Sequence, residues 1–116
     1  MRSSLMKTVN LKEGMPQAHQ ALSQLERELG RARDQGCGLV KLIHGYGSTG
    51  AGGEIRIAVQ RKLREMSDHK QIRGCIFGED WSKSDELTWT LLSLHADLKQ
   101  DRDLGKRNRG ITVVVL

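Results

Sequence analysis

Apolar positions recur along this chain with two periods, every second residue in some stretches and every third or fourth in others. The changes of period mark its elements. Met6 to Leu11 alternates over a short run and predicts a first strand. Gly14 and Pro16 punctuate the next stretch, Pro16 suiting a first helical turn. Ala18, Leu22, Leu25, Leu29 and Ala32 then form one helical stripe, with Gln20, Gln24, Arg27, Arg31 and Asp34 opposite, and Gly36 ends the helix. Leu39 to Ile43 is a β-prone run ending at His44. A second amphipathic helix is expected from about Glu54, its stripe made of Ile55, Ala58, Val59, Leu63 and Met66. Ile72 to Phe77 predicts a third strand. Ser84 reads as a helix cap followed by acids, and Leu87, Leu91, Leu94 and Leu98 fall on one face before a stop at Gly105. The closing run, Ile111 to Leu116, is almost wholly apolar, the mark of a strand central in a sheet. The order β-α-β-α-β-(α)-β predicts an α/β domain with parallel neighbours joined by right-handed crossovers.

Length and composition narrow this picture. The 116 residues predict one domain over 1–116, with an inserted helical segment at about 80–105. No stretch approaches the ~20 apolar residues of a membrane span. Met1 to Lys7 lacks the apolar run of a signal peptide, so no membrane partner and a cytoplasmic location are expected. Aromatics are only Tyr46, Phe77, Trp81 and Trp89, which leaves the core to Leu, Ile, Val and Ala and argues against modules that stack single strands on aromatic platforms. Cys37 and Cys75 are far apart and expected to be buried thiols. His19, His69 and His95 form no metal spacing with each other or with the cysteines.

Charge points to the partner. The net charge is +5, but residues 79–104 hold seven acids against three bases, a local −4 that leaves +9 on the rest. A basic body favours a polyanion, and nucleic acid is the expected one.

The segment after the second strand carries the candidate chemistry. Five glycines fall within residues 45–53. Gly45-Tyr46-Gly47-Ser48-Thr49-Gly50 matches a dinucleotide fingerprint literally, but it follows the second strand and the chain is too short for two mononucleotide halves. A P-loop is excluded because Gly53 is followed by Glu54, with no Gly-Lys-Ser/Thr. A phosphodiester-binding loop remains: glycines let backbone N–H groups approach an anion, the next helix adds the positive end of its dipole, and Ser48 and Thr49 offer hydroxyls. His44 sits at the strand end, where ligands meet α/β sheets.

The run Leu42-Ile43-His44-Gly45-Tyr46-Gly47, the basic amphipathic helix after it, and the closing Gly110-Ile111-Thr112-Val113-Val114-Val115-Leu116 together resemble the Smr (small MutS-related) domain over nearly the whole chain. The resemblance implies a two-layer α/β sandwich with a four-stranded mixed sheet. It also implies binding of branched or structured DNA or RNA, with nicking by some members.

Nuclease members of that family usually carry Asp-x-His at the end of the first strand. Here the matching residues are Asn10-Leu11-Lys12. An Asn cannot take a proton as a carboxylate does, and a Lys beside phosphate is a contact rather than a base. Glu13 is expected to be a solvated loop acid. If the last strand runs antiparallel beside the third, Lys106, Arg107 and Arg109 come close to Lys12, His44 and the glycine loop, with Arg56 in reach from the second helix. The expected function is structure-selective nucleic-acid binding through Lys12, Gly45, Tyr46, Gly47, Ser48, Thr49, Gly50, Arg56, Lys106, Arg107 and Arg109. The alternatives are an endonuclease using His44, the only setting in which a divalent metal is expected and otherwise without cofactor, and an interaction module using the inserted helix with Trp81 and Trp89 as anchors.

Overall fold

The structure is a computed structural model that describes residues 5–47 and 51–116. Four strands and three helices follow in the order β1 (Met6–Asn10), α1 (Ala18–Asp34), β2 (Leu39–Ile43), α2 (Ala51–Asp68), β3 (Gly74–Phe77), α3 (Glu86–Leu94) and β4 (Ile111–Val115), with 3₁₀ turns at Gly78–Asp80 and Ala96–Gln100. The sheet order is β1-β2-β4-β3. β1 and β2 are parallel, and β4 is antiparallel to both β2 and β3. The expected parallel neighbours are therefore realised once, because β4 enters between β2 and β3.

Alternation along the strands sorts two apolar clusters to the two faces of this sheet. Val40, Leu42 and Val114 pack with Leu25, Leu29, Val59 and Leu63 of α1 and α2. Leu39, Ile76, Ile111 and Val113 pack with Trp81, Leu91, Leu92 and Leu98 of the inserted segment. The insert thus covers a sheet face. Both cysteines are reduced, Cys37 in the core and Cys75 half-buried, where burial pushes the Cys75 thiol up. Among the described residues no helix is long and apolar enough to cross a membrane.

Three local expectations need correction. α2 begins at Ala51, not near Glu54, so Gly52 and Gly53 lie in its first turn. Asp85, not Ser84, caps α3: its Oδ2 accepts Thr88 N–H at 2.9 Å and Thr88 Oγ1–H at 2.8 Å. The leucine stripe does not hold, because α3 ends at Leu94 and the chain tightens into a 3₁₀ turn before Leu98. Thr88, Leu91 and Leu92 form its buried face, while Leu87 and Leu94 are exposed. Gly105, at φ 76°, turns the chain well after the helix has stopped.

The insert is fastened by a buried charge. Lys41 lies mid-strand in β2, on the face that packs the insert, and is 4% exposed. Its Nζ sits 3.1 and 3.0 Å from the two Asp101 carboxylate oxygens and also pairs with Asp103. Trp81 Nε1–H donates to Asp101 at 3.1 Å, and Asn108 Nδ2–H to Asp103 at 3.0 Å. Partial burial works against the Asp103 charge, but the Lys41 and Asn108 hydrogen bonds outweigh it and hold its carboxyl below the usual range. The insert's first and last turns also meet. Gly78 packs against the backbone carbonyl of Asn108 so closely that a Cβ there would overlap it.

Two variants test this fastening in urea unfolding. Lys41→Met leaves two largely buried carboxylates without their shared cation and is expected to remove about 3–5 kcal/mol. Gly78→Ala is expected to remove about 1–3 kcal/mol by forcing the two turns apart. An unchanged midpoint in either variant contradicts the corresponding contact.

Candidate nucleic-acid interface

The register of the sheet brings two loops to one edge. Ile43 of β2 pairs with Ile111 of β4, so the residue leaving β2 stands opposite the residue entering β4. The Gly110 carbonyl accepts both His44 N–H, at 2.9 Å, and Gly45 N–H, at 3.1 Å. Gly110 N–H in turn donates to Asn108 Oδ1 at 2.8 Å. These bonds join the loop after β2 to the Lys106–Gly110 turn.

Tyr46 is turned outward by its neighbours. Gly45 has φ 75° and Gly47 φ 91°, a left-handed conformation that glycine adopts without steric cost. Between them Tyr46 is 57% exposed. Its ring lies over Gly110, and a Cβ built on Gly110 would stand 3.5 Å from Tyr46 Cδ1. Gly47 comes back against the first turn of α2, with its Cα 3.5 Å from where a Cβ on Gly53 would lie. The loop therefore runs beside a helix N-terminus. Ser48, Thr49 and Gly50 lie outside the described residues.

His44 is fully buried, and both ring nitrogens are engaged. Nδ1 lies 2.6 Å from the Gly45 carbonyl, which can only accept, so Nδ1 carries the proton. Nε2 then accepts from Thr112 Oγ1–H at 2.8 Å. Burial pushes the imidazole pKa down, Arg56 adds to this, and the Gly45 hydrogen bond and Glu79 oppose it. The direction agrees with a neutral ring holding this tautomer. The arrangement leaves no ring nitrogen for a substrate, so the expected catalytic role of His44 has no geometric support here.

The basic residues divide. Lys12 is exposed in the turn after β1, at the same edge, since Asn10 pairs with Ile43 and Leu11 N–H donates to the Ile43 carbonyl at 2.8 Å. Lys106, Arg107 and Arg109 are exposed on the turn that Gly110 ties to the loop. Arg107 and Arg109 line an open cavity of about 640 Å³ whose other wall carries Glu79, Asp80, Ser82, Ser84 and Asp85. Arg56, expected to face phosphate, is turned instead to Glu79, Nη2 to Oε2 at 3.2 Å. Arg56 Nε and Glu79 Oε1 are buried without a partner among the described residues.

Asn10, at the position of the missing carboxylate, shapes the backbone. Its Oδ1 accepts Lys12 N–H at 3.0 Å and Glu13 N–H at 3.1 Å, forming an Asx turn. Glu13 is exposed. Among the described residues no three His, Cys, Asp or Glu side chains group as metal donors.

Sequence reading missed Thr112, Glu79 and Asn108. Thr112 had a signal, being the one polar residue inside the closing apolar strand. Asn108 had a weaker one, an Asn two residues before a Gly, which suits the turn its Oδ1 makes with Gly110 N–H, while Glu79 had none, because its partner Arg56 is 23 positions away along the chain.

Comparison with known proteins bears on this edge. The crystal structure of the Smr domain of Thermus thermophilus MutS2 superposes with a TM-score of 0.58 at 24% identity, covering 95% of this chain and 96% of that one. That likeness shows the fold. No match was found among curated protein sequences. The Smr domain family model matches residues 13–79, from the turn after β1 through the glycine loop and α2 to the start of the insert. Since that match spans more than half of its residues, the chain belongs to the Smr domain family.

Proposed function

We propose that this domain binds structured or branched DNA or RNA at the carboxyl edge of β1 and β2 and does not cut it. Smr domains are in general nucleic-acid-binding or endonuclease-like, which makes a polyanion the partner at the coarse level. The observation that carries the finer reading is the Gly110 carbonyl, whose two hydrogen bonds hold the cationic Lys106–Arg109 turn against the Gly45–Gly47 loop. A phosphate at this edge meets backbone N–H groups, the positive end of the α2 dipole and the side chains of Lys12, Arg107 and Arg109. Tyr46 offers its exposed ring at the rim. Contacts made mostly to phosphate carry no sequence information, so the proposed binding does not read sequence.

Two features support binding without cleavage. Asn10 supplies no carboxylate and uses its oxygen in a turn. His44 acts as a positioning residue, its ring clamping the β2 exit to Thr112. A reading as a protein-interaction module loses Trp81 as an anchor, since Trp81 is fully buried.

Fluorescence anisotropy with a four-way junction and a linear duplex tests the binding reading. Three to four phosphate contacts predict a loss of about 40- to 150-fold in junction affinity between about 50 and 200 mM salt, and Arg107→Gln with Arg109→Gln lowers the logarithmic salt slope by about 2. An affinity flat in salt contradicts the proposal, and so does Mg²⁺- or Mn²⁺-dependent cleavage that is lost in His44→Ala.

His44 also predicts a pH dependence. Its folded pKa lies below the ordinary 6.5, so the unfolded chain takes up a proton first as pH falls. The stability this ring contributes is present above pH 6.5 and is lost as pH drops from there toward the lowered folded value. His44→Gln is expected to flatten that part of the stability–pH curve. Parallel curves for the two proteins would show that the ring is not held neutral.

A further inference from the structure

The inserted segment is acidic in composition, and Asp80, Glu86 and Asp97 are exposed on it, but its other four acids are engaged within the fold. Asp101 and Asp103 hold Lys41, Glu79 pairs with Arg56, and Asp85 caps α3. Four of the seven acids between residues 79 and 104 are thus occupied by the fold itself. Its lysines are not. Lys83, in the turn before α3, and Lys99, in the 3₁₀ turn after it, are both exposed, and neither is in an ion pair among the described residues.

These two lysines share a groove with an aromatic ring. Lys83, Trp89, Leu92, Ser93 and Lys99 line one open groove of about 330 Å³. Trp89 is 60% exposed, in contrast to Trp81, which is fully buried beneath the same segment. Among the described residues no cation lies over the Trp89 ring. Leu92 closes the floor and belongs to the core cluster beneath, which fixes the groove to the fold. One exposed indole is too little for the multi-aromatic platform that the composition argues against, but an indole and two ammonium groups lining one groove match a single base with its flanking phosphates: the base stacks, and the lysines neutralise the backbone.

We propose that this groove is a second nucleic-acid contact, taking an unpaired nucleotide of a single strand on Trp89 between Lys83 and Lys99. It shares the partner class of the reading above but none of its residues. The contact lies on the insert that covers the second face of the sheet, whereas the glycine loop leads into α2 on the first.

Trp89 is its own reporter, because Trp81 is buried and supplies a constant background. The probe is a fluorescein-labelled thymidine 15-mer read by anisotropy, with tryptophan emission followed in parallel using the unlabelled oligomer. Saturable quenching is expected with thymidine and not with an abasic oligomer of the same length. Trp89→Ala is expected to weaken thymidine binding about tenfold while Trp89→Phe stays within about threefold of the parent, since a phenyl ring still stacks. Far-UV circular dichroism and Trp81 emission establish that both variants are folded. The proposal is overturned if the oligomer does not bind, if it binds without changing Trp89 emission, if the abasic oligomer quenches equally, or if Trp89→Ala binds as tightly as the parent. It is also overturned if emission changes with protein concentration alone, which would assign the groove to a second copy of the chain. Junction affinity of Trp89→Ala isolates the glycine-loop reading: if it is absent in the parent too, that reading fails by itself, whatever Trp89 does.

Discussion

The structure depends on where the last strand enters the sheet. β4 is hydrogen-bonded on both sides, to β2 and to β3, and Ile111 to Val114 are all buried. A strand so placed cannot lie at an edge or face water, so the chain must return to the carboxyl end of β2 before it can finish the fold. Antiparallel pairing of Ile43 with Ile111 then leaves Gly110 opposite His44. One carbonyl oxygen, that of Gly110, accepts from two consecutive N–H groups of the other loop. The basic turn and the glycine-rich loop are neighbours because the sheet closes this way, and His44 with Thr112 clamps the junction from inside.

The long return path explains the insert. It leaves the end of β3, crosses the second face of the sheet, and comes back to β4. Its apolar side chains cover that face, and its acids satisfy the one lysine that β2 directs there. An isolated ammonium in such a place would be costly, and with two carboxylates, an indole N–H and an asparagine amide the site is closed and specific. The formal charge of the insert is therefore a poor guide to its surface. Four of its seven acids are engaged by Lys41, Arg56 and the α3 cap, and the groove beside Trp89 is lined by two lysines outside any ion pair among the described residues.

Local pattern made much of this legible. The strand Leu39–Ile43, the α1 stripe around Leu25 and Leu29, and the central character of Ile111–Val115 all follow from periodicity, and the position of His44 at a strand end is plain from the residues before it. From sequence the antiparallel return of the last strand beside the third is only a condition, and the structure meets it. Side-chain partnership across long separations was not legible. Nothing local to Arg56 signals Glu79, 23 positions later, and nothing local to His44 says that Thr112, 68 positions on, takes its second nitrogen. The leucine spacing in α3 misled because it assumed one continuous helix through His95, where the chain leaves helical geometry. Ser84 and Asp85 are both good caps, and only the position of Thr88 decides between them.

The central claim is that two loops joined through Gly110 form one phosphate-binding edge, and backbone-amide NMR tests it residue by residue. Titration with a short phosphodiester duplex is predicted to shift the amides of Gly45, Tyr46 and Gly47 together with those of Arg107 and Arg109, along one binding curve. Shifts confined to another surface, such as the outer face of α1, or different curves for the two loops, would contradict it.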